Sequence, residues 1–175
     1  MHKFLPNKYY FINSFERKKI DNLEINTTVI YRNYKTKLNY QEILQTKNYC
    51  RKKKIKFVLS NNFKLAIKMD LDGTYIPSFN KCFRHLNYTM KKKFLILGSA
   101  HNLKEIRHKE KQKINLIFLS SIFKKNKNYL GLYKFKNLKI LTKRKVIALG
   151  GINKYNKKML RLIDCYGFSG ISYFE

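Results

Sequence analysis

Short apolar runs recur along the chain, separated by charged stretches with helical spacing. Tyr9–Asn13, Thr27–Arg32, Lys56–Ser60, Gly73–Ile76, Phe94–Gly98, Asn115–Leu119, Val146–Leu149 and Gly170–Phe174 read as eight strands. Most lack an apolar–polar alternation, as in parallel strands covered on both faces. Between them, Tyr40–Lys53 reads as a helix with Asn39 as its cap and Ile43, Leu44 and Cys50 on one side. Phe63–Met69, Asn80–Met90, Leu103–Gln112 and Lys154–Cys165 read as further helices. Residues 138–141 read as a helix end or connection, and 14–25 as a short charged link with one or two helical turns. Eight strands alternating with helical segments predict a closed (β/α)8 TIM barrel, with an open doubly wound sheet as the alternative. Such barrels usually need about 200 residues or more. This one is therefore expected to be trimmed, with a short first connection and no last helix.

The chain has 175 residues, which suits a single domain over residues 1–175. No apolar run has the length of a membrane span, and the N-terminal residues lack the apolar core of a signal peptide. Cys50, Cys82 and Cys165 are odd in number and widely spaced. They suit neither a zinc site nor a disulfide framework, so a cytoplasmic location is expected. The formal net charge of +29 raises nucleic acid as a partner. Lysine is spread over nearly every segment together with Asn, Ile, Tyr and Phe, and no nucleic-acid motif accompanies it. The charge is expected instead to draw phosphorylated small molecules over a distance.

Chemistry in a parallel barrel sits at the C-terminal ends of the strands. Those ends hold Asn13-Ser14, Arg32 to Lys35, Ser60 to Asn62, Pro77-Ser78, Ser99 to Asn102, Ser120-Ser121 and Gly150-Gly151. The rim is basic, rich in donors and poor in carboxylates, so it suits an anion. Lys145 to Asn153 reads as a buried strand, a glycine turn and a helix start. Glycines there permit close approach of backbone to a ligand, and a helix start offers N–H groups to phosphate. A tight βα turn without a ligand explains the same residues. His101 suits a cap of the following helix better than an acid–base role, and Tyr31, Tyr75 and Phe118 suit a core.

Val146-Ile147-Ala148-Leu149-Gly150-Gly151-Ile152-Asn153 through Gly167-Phe168-Ser169-Gly170-Ile171 is similar to the VVAIGGI…GADGV ending of the thiamine phosphate synthase / TenI family. Leu97 to Asn102 resembles its GVSTHS segment, Ser121-Ile122-Phe123 its P-I-F, Leu65 to Gly73 its LALAVGADGV, and Val29 to Tyr34 the place of its VQLREK. The resemblance implies a TIM barrel of thiamine biosynthesis. It would join hydroxymethylpyrimidine diphosphate to thiazole phosphate, releasing pyrophosphate, with Mg2+ on the diphosphate. It puts Gly150 and Gly151 on the thiazole phosphate, Ser99 and Arg32 near the diphosphate, and Ser60 at an Asn that contacts the pyrimidine diphosphate.

The chain also departs from that pattern. Asn61 and Asn80 stand where the family has two metal-binding Asp, Tyr34 where it has a Lys, and Ile30 where it has a Gln. Lys125 and Lys127 replace two Thr, Phe174-Glu175 falls at a Val-Ser, and Ser121 at the TenI His. Mg2+ is a hard ion held by carboxylates, so its ligands are not retained. Asp70 and Asp72 precede the fourth strand, at the wrong end to replace them. The candidate ligand residues are therefore Arg32, Lys35, Ser60, Asn61, Ser99, Lys125, Lys127, Gly150 and Gly151. Two readings follow: a divergent, shortened thiamine phosphate synthase or TenI-like enzyme, or a phosphate-binding barrel without transfer. A homo-oligomer would cover apolar surface left open by the missing last helix. Calorimetry is expected to find Mg2+ bound no better than by an ordinary surface, and diphosphate affinity that falls steeply with salt.

Overall fold

A computed structural model describes residues 7–34 and 37–174. Lys35 and Glu175 lie outside the described residues. Eight strands form a closed parallel barrel, each paired with its neighbours in sequence and β8 with β1. They are β1 (Asn7–Ile12), β2 (Thr27–Tyr31), β3 (Lys56–Ser60), β4 (Gly73–Ile76), β5 (Leu95–Ala100), β6 (Leu116–Ser120), β7 (Lys145–Leu149) and β8 (Gly167–Ser169). Among the described residues, α1 (Arg17–Asp21), α2 (Tyr40–Lys52), α3 (Phe63–Lys68), α4 (Leu103–Lys111) and α5 (Gly131–Ile140) lie between strands, and α6 (Ile171–Phe174) follows β8. The barrel, the short first connection and most strand positions follow the hydrophobic pattern.

Two apolar cores explain why the strands read as continuous runs. Tyr9, Phe11, Ile30, Val58, Tyr75, Leu97, Leu116, Phe118 and Ile147 fill the barrel interior. Their chain neighbours, such as Tyr10, Val29, Phe57, Ile117, Val146 and Ala148, pack outward against the helices. Inside, the Phe118 ring lies edge-on to Tyr9, Phe11 and Tyr75 at centroid distances of 5.1, 5.6 and 5.6 Å. Asparagines start three helices. Asn39 accepts from Gln41 and Glu42 N–H, Asn62 from Leu65 N–H, and Asn102 from Glu105 N–H.

Four sequence expectations change. The eighth strand is Gly167–Ser169, and residues 171–174 form one helical turn. Tyr173 packs edge-on to Phe168 and Phe174 packs on Tyr10, so this turn covers apolar surface expected to be open. The helix expected over residues 80–90 shrinks to a 3-10 turn, Arg84–Asn87. Its backbone carbonyls are taken by side chains: Pro77 and Asn80 by the Lys109 ammonium, and Asn80 and Cys82 by the Gln112 amide. The helix expected over residues 154–165 is also a 3-10 turn, Lys157–Leu162. Asn153 accepts from Tyr155 and Asn156 N–H, while Asn156 accepts from Asn153 N–H, and such local bonds compete with an α-helix. Finally, α5 begins at Gly131, well before the helix end read at residues 138–141.

The ring cluster predicts a stability test. Phe118 is fully buried, so Phe118→Ala should lower unfolding free energy by about 3–5 kcal/mol. Tyr133 is 89% exposed, and Tyr133→Ala should change it by less than about 0.5 kcal/mol. Urea unfolding of both variants measures the difference.

Candidate functional site

The C-terminal ends of β2 to β5 bring three of the expected residues together around two tyrosines. Tyr75 points from β4 into the barrel, with Ser99 and Arg32 near enough to its hydroxyl to favour its ionised form. The Arg32 guanidinium also lies over the Phe11 ring, 4.4 Å from its centroid. Burial pushes the Tyr75 phenol up to about 12, with Ser99 and Arg32 pulling the other way. Tyr34, following β2, reaches the buried Ser60 at the end of β3, with 2.6 Å between their hydroxyl oxygens. Burial also raises the Tyr34 phenol, against the Ser60 hydrogen bond and the charge of Arg32. The Tyr34 ring then meets Phe79 edge-on at 5.6 Å. Arg32 further lines a cleft of about 200 Å³ with Phe11, Asn13, Glu16, Lys19 and Ile171.

Asn61 follows β3 with φ of 61° and donates its N–H to Tyr75 O at 2.8 Å. Asparagine tolerates this left-handed conformation better than most residues. Its side-chain oxygen accepts from Asn80 Nδ2 at 2.5 Å. The two positions expected to face a metal are thus adjacent and bound to each other. Among the described residues, no group of three or more His, Cys, Asp and Glu side chains converges as a metal site. The donors here are neutral amides that satisfy one another, which does not fit the Mg2+ implied by the resemblance.

Across the mouth, the segment after β6 folds onto the turn after β7. Ser121 N–H donates to Asn128 O, and Leu130 N–H to Ser121 O, closing a loop that carries Lys125 and Lys127 exposed on the rim. Phe123 N–H donates to Gly150 O at 2.9 Å. Gly150 and Gly151 have φ of 106° and 74°. A Cβ on Gly150 would lie 2.3 Å from Ser121 Oγ, and one on Gly151 2.6 Å from Lys124 N. The chain itself therefore requires both glycines, whatever ligand the turn holds. Asn153 does not start an α-helix, so no α-helix N-terminus backs this glycine turn. His101 is engaged at the start of α4, where its ring and backbone N–H both meet Glu105.

The observed β8 also moves one alignment. The strand opens at Gly167, so the glycine of the family's GADGV falls there and not on Gly170. The Val-Ser that follows shifts by three residues, from Phe174-Glu175 to Ile171-Ser172. Ser172, not Glu175, is then matched to the serine of that pair. Sequence reading also missed Phe79 and the buried Lys109. The latter was legible as a lysine three residues after Ile106, on the apolar side of α4.

Comparison with known proteins agrees with this geometry. The chain belongs to the thiamine monophosphate synthase family, whose model matches residues 21–174. A thiamine-phosphate synthase of Fusobacterium nucleatum is 26% identical over 145 residues, covering 81% of this chain and 70% of its own. One from Persephonella marina is 27% identical over 157 residues, covering 83% and 73%. The solved thiamine phosphate pyrophosphorylase from Pyrococcus furiosus superposes with a TM-score of 0.77 at 20% identity, over 95% of this chain and 86% of its own. A citrate synthase superposes at 0.67 with 6% identity, over 94% and 85%, so shape alone does not separate chemistries.

Two measurements test the site's construction. Gly150→Ala should cost more than about 1 kcal/mol in urea unfolding, because it adds both a clash and a strained φ. Tyr75 keeps its proton in the folded state above pH 10, where the unfolded chain loses it. The stability from this group is therefore complete below about pH 10 and declines as pH rises toward 12. Tyr75→Phe should flatten that decline in pH-dependent urea melts.

Proposed function

We propose that this barrel joins a pyrimidine diphosphate to a thiazole phosphate at the C-terminal mouth. The observation that carries this reading is the convergence of Arg32, Ser60, Tyr75 and Ser99 in a chain of this family. In the reaction, the bond between the pyrimidine methylene and the diphosphate oxygen breaks, and pyrophosphate leaves with the electron pair. The thiazole nitrogen then bonds to the methylene carbon. The chain's part is to hold and neutralise the departing anion. Arg32 is fixed by Tyr75 and Phe11, so its charge is pre-organised. Ser99 and Ser60 supply hydroxyls beside it. Lys125 and Lys127 add charge from the opposite rim, and Lys35 is proposed as a further cation. Gly150, Gly151 and Ser172 are proposed for the thiazole phosphate. The reading assigns no step to Mg2+, because the Asn61 and Asn80 amides are poor ligands for it.

A second reading has a specific observation in its favour. The Asn61–Asn80 hydrogen bond at 2.5 Å occupies both side chains that would otherwise meet the diphosphate complex. It supports a barrel that binds phosphorylated precursors without transfer. Incubating purified protein with both precursors, with and without Mg2+, separates the two. Transfer predicts thiamine phosphate, with formation lowered at least about tenfold by Arg32→Ala. Binding without transfer predicts heat on titration with thiazole phosphate, no product, and an affinity that drops as salt rises. Absence of both product and binding would sink both readings.

A further inference from the structure

The loop after β4 is held from beneath by a group that neither reading uses. Lys109, on α4, is fully buried. Its ammonium donates to Pro77 O at 2.7 Å, Asn80 O at 2.8 Å and Gln112 Oε1 at 2.9 Å. All three of its protons thus have acceptors. Gln112, also buried, donates through Nε2 to Asn80 O at 3.1 Å and Cys82 O at 2.9 Å. Asn80 is therefore gripped at its carbonyl by a lysine and a glutamine, and at its side chain by Asn61. Its own Oδ1 accepts from Cys82 N–H at 2.8 Å.

We propose that Lys109 and the Asn61–Asn80 amide bridge form one strut that fixes the β4 loop against β3 without a divalent ion, with Lys109 as its positioning residue. Two carboxylates at these positions would repel at this separation and need a cation between them. Two amides close the gap directly, because one donates while the other accepts. The fixed positive charge of Lys109 lies inside the protein, where it orders the backbone carbonyls of Pro77 and Asn80. Burial pulls the ammonium down to about 8, with Glu105 on the same helix acting against that. The three oxygens explain how a lysine tolerates the site.

Nuclear magnetic resonance of 15N-labelled protein reads the strut directly, without any substrate. The Asn80 side-chain amide should be displaced from random-coil positions and unchanged by millimolar MgCl2. In Lys109→Met it should collapse to random-coil positions, with exchange faster by at least about tenfold, while barrel amides such as Phe118 keep their native shifts. A purely structural lysine would lower the melting temperature and leave the Asn80 signal native below it, which overturns the proposal. So does displacement of that signal by Mg2+ in the parent. If Lys109→Met does not fold, Gln112→Leu removes the other grip and should release Asn80 in the same way; a native Asn80 signal there also refutes the strut. As a complement, Asn61→Asp with Asn80→Asp should gain a melting temperature that climbs with Mg2+. The parent's should not climb, and an equal rise in the parent counts against the proposal.

Discussion

The structure depends on filling the inside of a small closed sheet. Each strand is short, and β8 spans only three residues. A barrel of such strands has little ladder to hold it, so side-chain packing inside must do most of the holding. Phe118 meets three other rings there, and each contact is edge-on, the arrangement that ring quadrupoles favour. The same rings set the depth of the mouth. Tyr75 is part of that packing and lies beside Arg32 and Ser99, so the floor of the candidate site is continuous with the core. Rigidity at the site is a consequence of packing beneath it, which suits a function that depends on pre-positioned charge.

Much of this was legible in the sequence because parallel strands are buried on both faces. Runs such as Val146 to Leu149 carry that signal without needing their partners. The helix starting at Asn39 was legible too, since a cap is a local interaction; for the helix after β5 the cap was read as His101, and Asn102 takes that place. The failures have one shared cause. Residues 80–90 and 154–165 have helical spacing, but side chains from elsewhere or from the loop itself take their backbone groups. Spacing reports what a segment would do with its own hydrogen bonds, and it does not report competition from Lys109, whose partners lie 29 and 32 residues away along the chain. The eighth strand was misplaced for a related reason. Residues 170–174 are apolar because Tyr173 and Phe174 cover neighbouring aromatic rings, which looks like strand burial in one dimension.

The site was partly legible, and in the half where side chains act through their own strands. Arg32, Ser60 and Ser99 were read from strand ends and meet around Tyr34 and Tyr75. The glycine turn was also read correctly as a turn, but its glycines have a second explanation. The backbone of residues 121–124 lies against them, so their presence is evidence of loop packing before it is evidence of phosphate. Ser172 illustrates the reverse case. Its position in the fold depends on where β8 begins, and that is settled by pairing of Gly167 with Asn7 and Ile147, residues far away in sequence.

The Asn61–Asn80 contact connects these observations. A carboxylate pair at a barrel mouth is unstable alone and becomes useful when a cation joins it, so such a site is coupled to metal supply. An amide pair is stable alone, and its hydrogen bond leaves both groups neutral. The exchange removes negative charge from the mouth while Arg32 and the loop lysines remain, so the field facing a phosphorylated ligand becomes more positive. It also offers no carboxylate to an ion that would orient a diphosphate through fixed geometry. On the proposed function, attraction and orientation part company at this mouth: charge gathers the anion, and alignment falls to Arg32, Ser60, Tyr75 and Ser99. A barrel built this way can keep affinity for phosphate esters at little structural cost. On the proposed function, transfer rests on how well those few groups align the leaving oxygen, so the positions around Tyr75, more than the abundant lysines, would govern the chemistry.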